Sequence, residues 1–272
     1  MRKKGSLTMK KLAALIIGIL FLSSLTVFAD ELPLVDNTNV TIWVKEFYVD
    51  SIWGTTMKVF LENKTDKTVM FSIDSCVVDG LSFDPFWAKE LMPGSKANAE
   101  IQWYDLDTIP TIVECDFRAY DSNDWMSDDI YNGHHVIYPQ GEAAAQSATI
   151  VEAPNGLVLA DTNELSIIAT NTYEDPIWGY SLNLYLQNKT NRSLMFSVEN
   201  AALNGFSIDP YWACEVPANA RAYSDVSWSN DSLDENDIDI VQEILLALRV
   251  YDAEDWFAND LFNNTVTLIL QH

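Results

Sequence analysis

Ile52–Glu90 reads IWGTTMKVFLENKTDKTVMFSIDSCVVDGLSFDPFWAKE, and 125 residues further on Ile177–Glu215 reads IWGYSLNLYLQNKTNRSLMFSVENAALNGFSIDPYWACE. Seventeen of the 39 paired positions are identical, and pairs such as Met57/Leu182, Val59/Leu184 and Phe60/Tyr185 keep their chemistry. The chain therefore carries a duplicated module, which speaks to architecture before activity.

Within the repeated stretch the apolar period is two. Met57, Val59 and Leu61 alternate with Lys58, Phe60 and Glu62, as Leu182, Leu184 and Leu186 do with Asn183, Tyr185 and Gln187, so one face of this strand should be buried. After a turn at Asn63–Lys67, or Asn188–Arg192, a second strand starts near Val69 or Leu194 and runs into Asp79-Gly80 or Asn204-Gly205. Both dipeptides tolerate the positive φ angles of a type I′ hairpin. The apolar phase slips on the way: Phe71 and Ile73 share one parity and Cys76 and Val78 the other, as do Phe196 and Val198 against Ala201 and Leu203. A one-residue bulge near Asp74-Ser75 and Glu199-Asn200 would restore a common inward face.

Further strands are expected at Val40–Phe47, Ala99–Tyr104, Ile112–Tyr120 and His134–Tyr138. Their counterparts are Leu165–Thr172, Ser224–Trp228, Ile244–Tyr251 and Thr265–Leu270. About seven short strands per repeat predict an all-β chain of two tandem antiparallel immunoglobulin-like β-sandwich domains. Asp231–Asp237 is an acidic insertion read as a loop.

The chain opens with Arg2, Lys3, Lys4, Lys10 and Lys11, continues through the apolar Leu12–Leu22 and reaches Val27-Phe28-Ala29. A basic start, a short apolar run and small residues before a break predict a secretory signal peptide over residues 1–29. The run is shorter than the ~20 residues that span a bilayer, so no membrane insertion of the mature chain is expected. Repeat 1 then occupies 30–139, a linker 140–155 and repeat 2 156–272; Gln140–Pro154 of the linker reads QGEAAAQSATIVEAP and has no repeat counterpart. Removing the leader takes five basic residues and no acidic ones, leaving 11 Lys+Arg against 40 Asp+Glu and a net charge of −29. Such a field repels nucleic acid and anionic membranes. Abundant aromatic residues argue against disorder; a folded, exported protein, extracellular or associated with the cell surface, is the expectation.

The combination of NKT, a D/N-G hairpin, DP.WA, a following Pro and a late R.YD..DW (Arg118–Trp125; Arg249–Trp256) resembles the tandem immunoglobulin-like repeats of uncharacterised secreted proteins and lipoproteins from Gram-positive, often gut-dwelling, bacteria. The resemblance covers nearly all of both repeats and implies export and a β-sandwich; it brings no catalytic residues. No Cys follows the expected cleavage site, which departs from the lipoprotein members.

Four Trp pairs recur: Trp53/Trp178, Trp87/Trp212, Trp103/Trp228 and Trp125/Trp256. The first three read as packing residues; Trp125 and Trp256 sit in polar loops and are the candidate ligand platforms, suited to a sugar ring or a peptide. The same loops hold Asp121, Asp124, Asp128 and Asp129, and Asp252, Glu254, Asp255 and Asp260. Several oxygen ligands on one loop suit calcium, although the spacing matches no EF-hand and a solvated acidic loop is the simpler reading. No other cofactor is implied. Asp84-Pro85 and Asp209-Pro210 read as turn residues, each Asp accepting a backbone hydrogen bond. Adjacent His134 and His135 would face opposite sides of a strand. Cys76, Cys115 and Cys214 have no repeat counterparts and read as buried free thiols, with a Cys76–Cys115 bridge as the alternative. No nucleophile or phosphate motif is present. The leading expectation is a non-enzymatic binding or structural protein with a protein or glycan partner. The alternative is a carbohydrate-active enzyme with carboxylates in an inter-domain cleft, since glycosidases need two acids across one cleft.

Overall fold

The structure, a computed structural model, describes residues 31–147, 152–177, 179–255 and 257–270. The expected signal peptide, part of the linker, Trp178 and Trp256 lie outside the described residues.

Repeat 1 is built from β1 (Leu32–Asp36), β2 (Val40–Asp50), β3 (Gly54–Asn63), β4 (Val69–Val78), β5 (Leu81–Ser82), β6 (Ala88–Leu91), β7 (Lys96–Trp103), β8 (Val113–Asp121) and β9 (Tyr131–Ile137). Repeat 2 follows as β10 (Leu157–Asp161), β11 (Leu165–Asp175), β12 (Gly179–Asn188), β13 (Leu194–Leu203), β14 (Phe206–Ser207), β15 (Ala213–Val216), β16 (Arg221–Trp228), β17 (Glu243–Asp252) and β18 (Phe262–Ile269). In repeat 1, β1-β2-β3-β7 make one sheet, and β5 and β6 flank β4-β8-β9 in the other. Strands β2, β3 and β7 against β4, β8 and β9 follow the A-B-E and C-F-G order of an immunoglobulin-like sandwich, and repeat 2 has the same order.

The period-two reading is met directly. Met57, Val59 and Leu61 of β3 are fully buried, as are Phe71 of β4 and Phe117 of β8, and all five belong to one core. The β4–β8 ladder shifts register between Ile73 and Ser75, and β13–β17 between Val198 and Asn200, where the slipped phase predicts the bulges. Asp79 and Gly80 have φ of 49° and 82°, Asn204 and Gly205 of 50° and 86°, which is the type I′ geometry. Gly54 and Gly179 also have positive φ, and a Cβ there would meet the Trp103 or Trp228 carbonyl at 2.3 or 2.2 Å. This accounts for Gly in both IWG motifs.

Strands β1 and β10 extend each repeat beyond the expected set. Pro33 masks β1 in the sequence, and it is tolerated because β1 is an edge strand with a bulge between Pro33 and Val35. Two short helices also differ from expectation: α1 (Glu142–Ser147) within the linker, where Glu-Ala-Ala-Ala-Gln favours helix, and α2 (Asn230–Asp234) in the acidic insertion. The latter is started by Ser229, whose side chain accepts from the Ser232 amide.

A nine-stranded sheet crosses from one repeat to the other. β5 lies parallel to the start of β16, with Leu81 opposite Arg221 and the Arg221 amide donating to the Gly80 carbonyl at 3.0 Å. Val77, next to that hairpin, belongs to the core of repeat 2.

Candidate functional site

Asp121 and Asp252 end β8 and β17 at the last inward position of an alternating strand. There each carboxylate faces a cation from the preceding NKT turn: Lys67 Nζ lies 3.0 Å from Asp121, and Arg192 Nη1 donates to Asp252 at 2.8 Å. Each also accepts a backbone amide two residues on, from Asn123 and from Glu254, at 3.0 Å. The Asn123 amide and then Lys67 hold the Asp121 carboxyl below its usual range. Asp129 and Asp260 accept Arg118 Nε at 2.7 Å and Arg249 Nε at 2.8 Å, and each guanidinium lies over the next tyrosine ring, Tyr120 or Tyr251. Asn263 first, then Arg249, lowers the Asp260 carboxyl.

Of the remaining expected ligands, Asp124 uses its backbone in the turn, donating to Asp121 O and accepting from Ser127. Asp255 accepts the Phe257 amide, and Asp128 is exposed. The carboxylates of Asp121, Asp129, Asp252, Asp255 and Asp260 are thus directed at cations and amides. Among the described residues, no group of three or more His, Cys, Asp or Glu side chains is placed to hold a metal. The loop also presents Trp125, 67% exposed, beside an exposed Met126, while Phe257 is fully exposed in repeat 2.

A second pair of displayed aromatics went unread in the sequence. Asp84 Oδ1 accepts the Phe86 amide at 2.8 Å and Asp209 Oδ1 the Tyr211 amide at 2.9 Å, the turn role expected of both aspartates. Beyond the fixed prolines, Phe86 and Tyr211 have φ of 44° and 48° and are 91% and 92% exposed. A bulky residue pays roughly 1–2 kcal/mol for the left-handed region, and here it gains no burial in return. The neighbouring tryptophans turn inward: Trp87 packs edge-on to Phe117 and Trp212 Nε1 donates to Ser224 Oγ at 2.9 Å. The signal in the sequence was an aromatic between Pro and Trp in both repeats.

Trp103 and Trp228 are core residues as expected, whereas Trp53 is 47% exposed and makes an edge-to-face contact with the exposed Tyr104. Its place in the β2–β3 turn, beyond the end of both sheets, explains the difference from the expected packing role. His134 faces Asp116 in the solvent and His135 meets the Tyr131 hydroxyl at 2.6 Å on the other face. Cys76 and Cys115 are buried free thiols paired across β4 and β8; Cys214 is also free, with its thiol pushed up by burial.

A cleft of about 230 Å³ lies where the repeats meet, lined by Asp74, Ser75, Ser82, Asp84, Glu215 and Pro217 among others. Burial raises the Asp74 carboxyl, with Arg118 opposing. In repeat 2 an open hollow of about 370 Å³ is lined mainly by apolar groups, including Leu157, Leu182, Leu268 and Leu270. Among the described residues no helix is long and apolar enough to cross a membrane.

No protein-family model matches the sequence, and no curated protein matches it. Similar solved structures include the SafA pilin with the SafB chaperone of Salmonella enterica, 12% identical over 87% of this chain and 98% of that one, at a TM-score of 0.24. The CsuC–CsuE chaperone and tip adhesion subunit complex of Acinetobacter baumannii is also 12% identical, covering 81% of this chain and 97% of that one, at 0.23. The CupB2 chaperone of Pseudomonas aeruginosa is 11% identical, covering 79% of this chain and 92% of that one, at 0.19. Scores this low assign no activity or partner to the chain.

Proposed function

We propose that the chain is an exported, non-enzymatic binding protein whose two repeats present matched aromatic turns to a protein or glycan ligand. The observation that carries this reading is the pair Phe86 and Tyr211: two large aromatics at equivalent positions, each in a strained backbone and almost wholly in solvent. Exposed apolar side chains held at a cost in strain mark recognition sites. Two such turns on one chain give avidity when a ligand spans both. Trp125 adds a further platform on repeat 1. Membership of the tandem-repeat proteins of Gram-positive bacteria, and a place outside the cell, belong to the same proposal.

Binding to glycan arrays, isolated cell walls and host-surface proteins tests it. Phe86→Ala or Tyr211→Ala should each weaken binding by at least tenfold and the double variant should abolish it, with melting nearly unchanged because neither side chain is buried. Binding that survives the double variant, or no binding to any of the three, would overturn the reading.

The junction cleft supports a second reading as a carbohydrate-active enzyme, with Asp74 as the raised acid and Glu215 across the joint. Against it, the cleft is smaller than the roughly 300 Å³ at which ligand pockets begin, and Asp84 is already committed to the Phe86 amide. Reducing-end release from polysaccharide, lost in Asp74→Asn, would establish this reading instead.

A further inference from the structure

The joint inside the chain is made from surfaces that both repeats possess. On one side is the β4–β5 hairpin, with Gly80 and Leu81; on the other is the start of β16, with Arg221. The 125-residue offset takes Gly80 and Leu81 to Gly205 and Phe206, and takes Arg221 to Lys96. Among the described residues neither counterpart surface is covered. β7 ends its sheet on one side of the molecule and β14 ends another. Leu81 is half-buried in the joint, whereas Phe206 is 48% exposed; Pro217 lines the junction cleft, whereas its counterpart Met92 is 70% exposed.

The free hairpin already has the docking shape. Its two φ angles match those of the engaged hairpin within a few degrees, and its turn is tied down in the same way. Asp79 Oδ1 accepts the Thr111 and Ile112 amides, and Asn204 Oδ1 accepts those of Gln242 and Glu243. A surface that needs no reordering gives up little entropy on binding.

We propose that the occupant of both free surfaces is a second copy of this chain. The Asn204-Gly205 hairpin of one copy lies on β7 of the next, Phe206 opposite Lys96, and the Lys96 amide donates to the Gly205 carbonyl as Arg221 does to Gly80 within the chain. The contact joins unlike surfaces, so each added copy leaves one hairpin and one edge free and the assembly grows head to tail. Formal net charge of −24 on each copy opposes growth, so salt strengthens it. This goes beyond the ligand reading and does not depend on it.

Sedimentation of the full chain across concentration and salt tests the proposal. The average mass should climb past that of a dimer as either rises. Lys96→Pro, which removes the outward amide donor at the edge, and Phe206→Asp, which puts a charge on the hairpin, should each weaken growth by at least tenfold. Mixed together, these two variants keep one intact hairpin and one intact edge, so they should form a one-to-one pair and stop. A chain that stays monomeric throughout, or an association that neither variant alters, overturns the proposal. Because the two substitutions lie in different repeats, a folding defect in one leaves the other as the test, and ligand binding through Phe86 is read separately.

Discussion

The two repeats keep a buried polar clamp unchanged but replace a facing pair of residues in the apolar core. Asn63 and Asn188, the first residues of the two NKT motifs, are buried at the ends of β3 and β12. Asn63 Nδ2 donates to the carbonyls of Lys67, Leu91 and Met92 at 2.8–3.1 Å, and Asn188 Nδ2 to those of Arg192, Val216 and Pro217 at 2.7–2.9 Å. Each Oδ1 accepts the amide and hydroxyl of the following threonine, Thr65 or Thr190. The two NKT motifs are therefore internal clamps that hold two loops at one end of each sandwich. In the cores, by contrast, the facing pair Cys76 and Cys115 is replaced by Ala201 and Leu246 at the same place in the ladder. A buried amide must satisfy every partner it has, whereas an apolar site needs only the right total volume.

The sharpest way to break this contrast is Asn63→Leu, or Asn188→Leu in the other repeat. Either removes a donor from three carbonyls and an acceptor from a threonine amide without opening a cavity. Losing several buried hydrogen bonds together should cost about 3 kcal/mol or more, read from the midpoint of urea unfolding. A loss under about 1 kcal/mol in both repeats would mean that the clamp is incidental.

A smaller effect is expected from grafting the second core onto the first. Cys115→Leu alone overfills its site and should cost about 1–3 kcal/mol. Adding Cys76→Ala opposite should bring the cost below about 1.5 kcal/mol, with a coupling of about 1 kcal/mol in the double-mutant cycle. Additive costs would show that the two positions do not share one volume. A stable double variant would also show that the fold needs neither thiol; burial and Cys76 together push the Cys115 thiol well up, which keeps it unreactive.

The same contrast explains what the sequence disclosed. Strand parity, the bulges and the Asp79-Gly80 and Asn204-Gly205 turns are local and occur twice, so the fold was legible from Ile52–Glu90 and its copy. Strands β6 and β15, four residues each, are too short to show alternation, and Pro33 disguises β1. The candidate site was harder to read. Asp121 and Asp252 look like loop ligands in sequence, yet their cations come from turns more than fifty residues away in the chain, Lys67 and Arg192. The exposure of Phe86 and Tyr211 carries no signal in the sequence because it depends on a positive φ in the turn that Asp84 and Asp209 cap. The joint at Arg221 is a contact between repeats, and no local pattern encodes it.

The smallest effect should come from the acidic clamps. Asp121 has its carboxyl lowered by the Asn123 amide and by Lys67, so its charged form favours the fold above the unfolded pKa near 3.8. That stability is lost as pH falls through the lower, folded value. Lys67 is half exposed, so solvent screens its part of the interaction and salt should reduce it. Acidification also relieves the self-repulsion of a chain at −24, which makes the total pH profile a poor measure; the difference between parent and Asp121→Asn isolates the clamp. At neutral pH the parent should be the more stable of the two, and the gap should close below about pH 4. A gap that persists unchanged into acid would assign the role of Asp121 to the shape of the turn at Asn123, which Asn can reproduce only in part, and not to its charge.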